Sequence, residues 1–518
     1  MKALNVLLAL LVSALIAVGV FEGGLRLLGM GPPKVLNQFD SALGWSKQPG
    51  LSVSRKTGEY RAKFELNEHG FRDDADQSAA KPDGTTRVVA LGDSFTLGFA
   101  VERDDLFVDQ LEAWWQAEGS NVDVVNTGTE GYSTDQEVAW LLAHGDEWKP
   151  DVVLLFAYEN DIYYNGQDSY GQFPKPRFTP GGELEPGTLT DPGERSFFQR
   201  TAIGNLVSSK PKPALFTPSN GGRQVLADFA PLFLGEAEAL ADPLARTAGA
   251  LKALKAKCDQ LGAKAVVVTI PSHSVVDETY AASFGEKVLG AERSAWDPNQ
   301  PVEFLLAAAA AAGVPAIDPR AQLKAQHSDD KPLYYDVDFH LNPAGNRALA
   351  SIVHDELQSM GVVAAPAQPV ALAELAAGQE KEPGGLPGWL PWFLGLWLGV
   401  GGLYSSYYKD EKAPLAFLKV GALLGTVFTI AIGGTTLLGM LPPAVSRWAL
   451  LGIVVAILGF VAYKLGDRIG TITELIVAFV GRGHWYLMPL VVILLTVGSL
   501  LVVAASSPLV APFIYTLF

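Results

Sequence analysis

The chain has 518 residues, of which 49% are hydrophobic and 18% charged, and its mean hydropathy is +0.20. This length predicts roughly two to four domains, and the high apolar content excludes a disordered chain. The sequence has no short repeat, which excludes collagen and coiled-coil proteins. The only cysteine, Cys258, excludes an internal disulfide and any cysteine-based zinc site.

The net charge of −16 is unevenly distributed along the sequence. Residues 31–385 carry 30 basic and 50 acidic side chains, whereas residues 386–518 carry seven basic and four acidic ones. A strongly acidic surface repels the phosphate backbone of a nucleic acid. The charge distribution therefore excludes nucleic-acid binding and separates an acidic globular region from an apolar C-terminal region.

The sequence begins with an apolar run of nineteen residues, from Ala3 to Phe21. A transmembrane helix needs about 20 such residues. In a signal peptide a small-x-small cleavage site follows the apolar region, but here the candidate, Ala14 to Ala17, lies inside the run. We therefore expect residues 1–30 to form an uncleaved membrane anchor, with a cleaved signal peptide as the alternative.

Residues 31–86 are predicted to be a polar lead-in segment, and residues 87–362 to be a globular domain. In that domain short β-branched runs alternate with helix-length segments, which is typical of a parallel sheet covered by helices on both faces. The predicted strands are Arg87–Leu91, Val122–Asn126, Asp151–Phe156, Ala265–Ile270 and Val314–Ile317, and the predicted helices between them are 104–119, 135–147, 240–261 and 301–312. Residues 163–235 interrupt this alternation and are predicted to be an insertion over the sheet or a mobile lid.

A serine follows the first predicted strand, in the sequence Gly92-Asp93-Ser94. A serine at a tight strand-to-helix turn presents its hydroxyl at the carboxyl edge of a parallel sheet. There the N–H groups of the next helix can hold an oxyanion. The tripeptide alone is also an ordinary turn with a helix N-cap. Its position at the end of a strand favours a nucleophile.

Two further polar turns follow the second and third predicted strands. Gly128 comes after Asn126, and the sequence Tyr158-Glu159-Asn160-Asp161 comes after the third strand. A glycine lets a backbone N–H approach a ligand closely, and an asparagine side chain supplies an NH₂ donor. Each turn alone could be an ordinary turn or cap. Three polar turns at the same edge of one sheet favour a shared site.

A fourth polar segment, before a helix predicted to begin near Ala344, contains Asp336, Asp338 and His340. A serine nucleophile needs a base, and the base needs a carboxylate that fixes its tautomer. Residues two apart project to the same side of an extended segment. Asp338 is therefore the predicted partner of His340, with Asp336 as the alternative.

Residues 363–385 are rich in Ala, Pro and Gly and predict a linker, and residues 386–518 predict a membrane domain. About four spans are expected, near 389–404, 415–438, 448–463 and 485–505. A shorter apolar segment, 471–480, fits an interfacial helix better than a further span. The basic residues of the loops predict a cytoplasmic N-terminus, and therefore place the acidic domain and the C-terminus outside.

With these four polar segments in this order, residues 88–361 resemble the SGNH/GDSL hydrolase superfamily. The resemblance implies an α/β fold, namely a flavodoxin-like three-layer α/β/α domain with a parallel sheet. It also implies that Ser94 is the nucleophile and His340 the general base. The implied oxyanion hole consists of the N–H groups of Ser94 and Gly128 and the side chain of Asn160.

The sequence departs from the superfamily pattern at two positions. Tyr158 stands where a glycine is common, and Val337 stands where the usual Asp lies three residues before the histidine. The Asp-x-His spacing of Asp338 and His340 is similar to that of membrane-associated SGNH proteins that handle acetyl groups on bacterial polysaccharides. Asp93, Tyr158 and Asp336 are predicted to line the pocket or, for the two carboxylates, to replace Asp338.

The C-terminal residues 485–518, which end in the sequence PFIYTLF, resemble a small uncharacterised bacterial membrane-protein family with the same ending. The resemblance implies that these helices are a fused subunit or bind a membrane-protein partner.

Three functions follow from the sequence. The first is an esterase, held outside a bacterial inner membrane, that removes an acyl group, with acetyl favoured, from an envelope glycan or a related ester. The second is an acyltransferase that delivers the group to a polysaccharide, which needs a membrane partner. The third is a non-catalytic envelope scaffold, which the intact Ser94, Asn160 and His340 argue against. No residue cluster in the sequence indicates a metal or an organic cofactor.

Overall fold

A computed structural model describes residues 36–171, 173–185, 189–191, 193, 196–207, 214–219, 223–363, 390–407, 412–422 and 424–425, with Val18, Gly19, Glu22 and Arg26. The chain divides into two compact units. One unit comprises residues 33–196 and 208–380, and the other comprises residues 1–32, 197–207 and 381–518.

The described residues form short and long elements in the following order. The strands are β1 (Asn37–Asp40), β2 (Gly44–Lys47), β3 (Ser52–Lys56), β4 (Arg61–Glu65), β5 (Thr86–Gly92), β6 (Val122–Asn126), β7 (Val152–Ala157), β8 (Ser169–Tyr170), β9 (Phe173–Pro174), β10 (Arg177–Phe178), β11 (Leu184–Glu185), β12 (Leu215–Phe216), β13 (Val225–Leu226), β14 (Lys264–Thr269) and β15 (Ala316–Ile317). The α-helices are α1 (Ser94–Leu97), α2 (Phe107–Ala117), α3 (Thr134–Trp148), α4 (Glu159–Tyr164), α5 (Ala202–Val207), α6 (Ala237–Leu261), α7 (His273–Val276), α8 (Glu278–Phe284), α9 (Gln300–Ala312), α10 (Arg320–Gln326), α11 (Pro343–Ser359) and α12 (Leu390–Tyr407).

The centre of the larger unit is a five-stranded sheet with the strand order β15-β14-β7-β5-β6. Every pair in this sheet is parallel. Numbered by their order along the chain, these five strands lie in the order 2-1-3-4-5, which is the flavodoxin-like arrangement. The predicted α/β fold with a parallel sheet is thus confirmed, and all five predicted strands are present with small shifts at their ends.

The sheet is buried on both faces, because successive residues of a strand point to opposite sides. In β5, Val88 and Ala90 belong to the core under α2 and α11, whereas Val89 and Leu91 belong to the core under α3, α6 and α9. Apolar residues at consecutive positions of one strand are what a sheet between two helical layers requires. The three-layer arrangement follows from this pattern.

The predicted polar lead-in segment folds into two antiparallel hairpins, β1–β2 and β3–β4. In β4 the burial alternates, with Ala62 and Phe64 buried between exposed neighbours. These two side chains pack with Leu97 and Ala100, which lie at and after the end of α1. The lead-in segment is therefore packed against the turn that follows the first sheet strand.

The predicted insertion, residues 163–235, contains the short hairpins β8–β9, β10–β11 and β12–β13. A buried ion pair attaches part of the insertion to the domain. It joins Lys175, which is fully buried, to the buried Asp135 of α3. Residues 197–207 of the insertion belong instead to the smaller unit. There Glu22 accepts hydrogen bonds from the N–H groups of Ala202 and Ile203 at the start of α5.

Among the helices that the structure describes, none combines the length and the apolar character needed to cross a bilayer. The helix α12 coincides with the first predicted C-terminal span, but its glycines and its Tyr and Ser residues lower its hydropathy. Nearly all of the predicted anchor, the linker 364–385, the segment 471–480 and the spans 448–463 and 485–505 lie outside the described residues, as does 415–438 beyond residue 425.

Candidate active site

Ser94 lies at the carboxyl edge of the sheet, immediately after β5. The carboxylate of Asp93 accepts a hydrogen bond from the Phe95 N–H at 2.8 Å and so caps α1, whose first residue is Ser94. The turn requires a glycine before it, since a Cβ on Gly92 would lie 2.0 Å from Thr96 Oγ1. Close packing at the end of the strand therefore presents the serine hydroxyl above the sheet.

His340 contacts this serine from the loop between α10 and α11. Its Nε2 is 2.8 Å from Ser94 Oγ, and its Nδ1 is 2.5 Å from Asp338 Oδ1. The imidazole packs against Phe95, with ring centroids 4.6 Å apart, and against Phe99, at 5.6 Å. The ring is thus held in one orientation, with one nitrogen bonded to Ser94 and the other to Asp338. This is the arrangement of a Ser–His–Asp triad.

The carboxylate on His340 is that of Asp338 and not that of Asp336, whose side chain is exposed. Burial raises the pKa of Asp338, but its hydrogen bonds with His340 and Tyr60 and the His340 charge outweigh this and lower the pKa to about 2. Asp338 is consequently ionised throughout the neutral range. An ionised carboxylate fixes the imidazole tautomer and stabilises the imidazolium that forms when the ring takes a proton.

The hairpin β3–β4 supports this carboxylate from a distant part of the chain. The Tyr60 hydroxyl donates to Asp338 Oδ2 at 2.8 Å. The Glu59 carboxylate accepts hydrogen bonds from the N–H groups of Val337 and Asp338, both at 2.9 Å. Sequence reasoning missed both residues. The alternation of β4 and the Thr57-Gly58 turn signal a hairpin, but nothing in the sequence shows what that hairpin contacts.

Two of the three predicted oxyanion donors are available in this structure. The Ser94 N–H is at the first position of α1 and so has no acceptor within the helix. The Asn160 side chain has no hydrogen-bond partner among the described residues, and its Oδ1 is buried. An amide without a partner leaves its NH₂ group free for a developing negative charge.

Gly128, the third predicted donor, is already engaged. Its N–H donates to Asn126 Oδ1 at 3.0 Å. A Cβ at this position would lie 2.3 Å from the Leu97 nitrogen and 2.6 Å from the Thr96 carbonyl carbon. The structure therefore gives Gly128 a packing role that sequence reasoning did not predict, the close approach of its loop to the backbone of α1.

The remaining predicted pocket residues lie at the same edge. Tyr158 is buried, and its ring packs on Phe95 with centroids 4.5 Å apart. Burial raises the pKa of Asp93 to about 6, and it raises the pKa values of Glu137 and Asp161 well above their ordinary values. Both Glu137 carboxylate oxygens lack a hydrogen-bond partner among the described residues. Burial thus favours the protonated forms of Glu137 and Asp161, whereas Asp93 serves as the cap of α1.

Metal-binding potential in the described part of the chain is limited to one group outside the triad, formed by His273, Asp277 and His327. Ser94, His340 and Asp338 are arranged for nucleophilic chemistry that uses no cofactor.

The fold and the site together define a serine hydrolase of the three-layer α/β/α type. Residues 90–348, which are half of the chain, match the GDSL-like lipase/acylhydrolase family. The chain belongs to this family and is an ester-hydrolysing enzyme. The resemblance to SGNH/GDSL hydrolases is thereby confirmed. Residues 469–518 match a family of unknown function (DUF5989), which leaves the membrane nature of the C-terminal resemblance a prediction.

The chain is also similar to several solved structures. It is 14% identical to TesA, over 53% of this chain and 99% of that one, with a TM-score of 0.30. It is 16% identical to a lipase/acylhydrolase from Enterococcus faecalis, over 55% and 100%, with a TM-score of 0.30. It is 17% identical to the acetyl xylan esterase AlAXEase, over 52% and 100%, with a TM-score of 0.29. None of the curated proteins matches the chain.

Proposed function

We propose that this enzyme is an esterase that removes small acyl groups, with acetyl as the main substrate group, and that Ser94, His340 and Asp338 carry out the reaction. The observation that carries this proposal is the continuous hydrogen-bonded chain from Ser94 Oγ through both ring nitrogens of His340 to Asp338.

The reaction proceeds in two halves. Ser94 Oγ attacks the ester carbonyl and passes its proton to His340 Nε2, and His340 then gives this proton to the departing alcohol. This leaves the acyl group on Ser94. Water then attacks the acyl-enzyme while His340 takes a proton from it, and the free acid leaves as the serine hydroxyl is restored. The Ser94 N–H and the Asn160 side chain hold the oxyanion in both halves.

The size of the cavities at the site supports a small acyl group. The cavity that borders Ser94 and Phe99 encloses ≈ 10 Å³. A second cavity, between Tyr158 and Phe339, also encloses ≈ 10 Å³. Such a volume holds about one water molecule. A long acyl chain would therefore require the aromatic side chains around the site to move apart, and an acetyl group demands far less of this movement.

The rim of the site supports a larger alcohol part. Val337 is 79% exposed and Phe339 is 42% exposed, on either side of Asp338. An exposed aromatic side chain beside a catalytic centre offers a flat apolar surface to the ring of a sugar. We infer that the acyl group is carried by a glycan or a related envelope molecule.

We also propose that the enzyme works at the outer face of a bacterial inner membrane. The apolar run 3–21 and the apolar segments after residue 386 support this location, and so does the acidic character of the domain between them. The C-terminal segments would then hold the enzyme beside a membrane-protein partner.

Acyl transfer to a sugar uses the same first half-reaction and differs only in the acceptor. The spacing of Asp338 and His340 is the observation that favours it. Against it, the His340 side chain is 16% exposed, so water can reach the base. Hydrolysis is the function that this geometry supports best.

The test uses the full chain, purified in detergent. It should hydrolyse an aryl acetate faster than an aryl octanoate, and a serine-reactive phosphonate should label it at Ser94. Ser94→Ala should abolish labelling and lower kcat at least about 10³-fold. His340→Gln should lower kcat by a similar factor, because the serine then lacks its base.

A matched control is Ser133→Ala, which removes another buried serine hydroxyl, at the cap of α3, and should leave turnover intact. Turnover that persists in Ser94→Ala would reject the proposed nucleophile. Faster turnover of the octanoate would reject the small acyl group. Adding an oligosaccharide acceptor separates transfer, which yields an acylated sugar, from hydrolysis, which yields free acetate.

A further inference from the structure

Two histidines and an aspartate meet beside the loop that carries His340. His273 is the first residue of α7, Asp277 lies between α7 and α8, and His327 follows the last residue of α10. Asp277 Oδ2 is 3.7 Å from His273 Nε2 and 3.5 Å from His327 Nε2. One ligand atom from each of the three side chains lies within 4.8 Å of the other two.

His273 is the unusual member of this group. Its side chain is 5% exposed, and neither of its ring nitrogens has a hydrogen-bond partner in the described part of the chain. Its ring is stacked between Tyr280, with centroids 3.8 Å apart, and Tyr334, at 5.0 Å. A buried polar group without a partner destabilises a fold by about 1–3 kcal/mol. Since the stacking prevents the ring from turning to solvent, its nitrogens need a partner inside the cluster.

The carboxylate of Asp277 faces the two imidazoles. Its Oδ1 accepts hydrogen bonds from the N–H groups of Thr279 and Tyr280, at 2.7 and 3.0 Å, and so caps α8. Its Oδ2 is left facing the two imidazoles. The distances from Oδ2 to both imidazoles exceed the 2.7–3.2 Å or so of an ordinary hydrogen bond. Hydrogen bonding alone therefore does not satisfy the three side chains.

We propose that His273, Asp277 and His327 bind a zinc ion, with water as the fourth ligand. Zinc binds histidine nitrogen and carboxylate oxygen at about 2.0–2.2 Å in a tetrahedron, so its ligand atoms lie about 3.3 Å apart. The separations of 3.5 and 3.7 Å between Asp277 and the two histidines need to contract by a few tenths of an ångström. The two histidine nitrogens, which lie within 4.8 Å of each other, must also approach to about 3.3 Å. Neither cysteine nor any other residue type is required, because two imidazoles and one carboxylate are an established ligand set for zinc.

Binding shifts one proton on His327. The Leu333 N–H points at His327 Nδ1 at 3.4 Å, a contact that requires the neutral ring to carry its proton on Nε2. When zinc takes Nε2, the proton moves to Nδ1 and the contact with Leu333 is lost. A contact of this length contributes little, so the three new metal bonds outweigh its loss.

The ion would fix one side of the loop that carries the catalytic base. His327 precedes this loop, and Tyr334 within it stacks on His273 and donates a hydrogen bond to the Pro271 carbonyl at 2.5 Å. The opposite side of the loop is held by Glu59 and Tyr60. The zinc ion would thus hold α7, α8 and the loop together.

The test uses the full chain in detergent, with its affinity tag removed. After chelation and gel filtration, the protein is titrated with Zn²⁺ and, separately, with Co²⁺ as a spectroscopic probe. We expect one zinc per chain by elemental analysis, visible absorption typical of tetrahedral Co²⁺, and a higher Tm with zinc. His327→Gln and Asp277→Asn should each weaken zinc binding at least 100-fold and abolish the rise in Tm. The amide oxygen of Asp277→Asn can still cap α8.

His144→Gln, which changes a histidine outside the cluster, is the matched control and should bind zinc as the unchanged protein does. Equal Tm values for the metal-free variants and the metal-free protein would show that the lost binding is not misfolding. The proposal is overturned if the unchanged protein binds zinc well below one ion per chain. It is also overturned if both cluster variants bind as tightly as His144→Gln, or if iron or manganese binds in preference to zinc.

Discussion

The two sides of the active site are built in different ways. Ser94 is positioned by its immediate neighbours, because the end of β5, the Asp93 cap and the short helix α1 are continuous in sequence. His340 sits in a long loop, and the residues that support its Asp338 partner, Glu59 and Tyr60, come from a hairpin far away in the chain. The turn that carries the nucleophile is therefore formed by adjacent residues, with Gly128 packed against it. The acid–base side depends instead on hydrogen bonds between distant segments.

The largest effect should come from the carboxylate that joins the two sides. Asp338→Asn replaces an ionised group with a neutral amide, which can neither fix the His340 tautomer nor stabilise the imidazolium. We expect kcat for an aryl acetate at pH 7 to fall about 10³–10⁴-fold. Asp336→Asn is the matched control, since Asp336 is exposed and two residues away, and it should change kcat little. Similar losses in both variants would mean that Asp338 has no special role.

The next effect tests the nucleophile side. In Gly128→Ala the new Cβ meets the backbone of Leu97 at 2.3 Å, so α1 must shift, and Ser94 with it. Overpacking of this kind destabilises a fold by about 1–3 kcal/mol, and a displacement of about 1 Å can lower kcat about 100-fold. Gly399→Ala, in α12 with no atom within 4 Å of the added Cβ, is the control. Both are measured by thermal unfolding and by turnover. Wild-type turnover in Gly128→Ala would show that close packing does not position the serine.

A smaller effect tests the long-range support of the loop. Tyr60→Phe removes the hydrogen bond to Asp338 Oδ2 and keeps the ring. We expect kcat to fall about tenfold, which corresponds to about 1.4 kcal/mol, with KM unchanged. Tyr335→Phe also removes a hydroxyl next to the site, but that hydroxyl bonds the Ala100 carbonyl, so kcat should be near wild type. If both variants had the same kcat, the hairpin would support the loop only by packing.

The smallest effect concerns stability and pH. Burial raises the pKa of Glu159, beside the Asn160 donor, to about 7. The unfolded chain has a Glu pKa of about 4.3. Between these values the folded state keeps a proton that the unfolded state has lost, so the free energy of unfolding falls as pH rises. The slope from this group is up to about 1.4 kcal/mol per pH unit.

In Glu159→Gln this part of the slope should disappear. Urea unfolding of the full chain at pH 5 and pH 7 measures it, with the exposed Glu147→Gln as the control that keeps the wild-type slope. A Glu159→Gln protein whose stability still falls as steeply as that of wild type would contradict the buried, protonated state of Glu159.

Much of the fold could be predicted because its signals are local. The strands of the parallel sheet are continuous apolar runs, and such runs are recognisable wherever the chain places them. The hairpins β1–β2 and β3–β4 were not predicted, since they are short and largely polar, and only the alternation of β4 indicates a half-buried strand. The hairpin β3–β4 packs on α1, and the hairpin β1–β2 buries Leu43 and Trp45 in the core that includes α3. No pattern within residues 31–86 reveals either contact.

For the site, the sequence by itself determined which side chains stand at the ends of the strands. Ser94, Gly128 and Asn160 follow from strand ends and turn residues, because the carboxyl ends of parallel strands share one edge of the sheet. His340 follows from the polar segment before the last helix of the domain, where a carboxylate lies two residues away. Only the tertiary structure decided between Asp338 and Asp336, engaged the Gly128 N–H with Asn126, and brought His273, Asp277 and His327 together. These outcomes depend on distances between residues in different segments. Chain spacing constrains such distances weakly, whereas close packing of the folded chain fixes them.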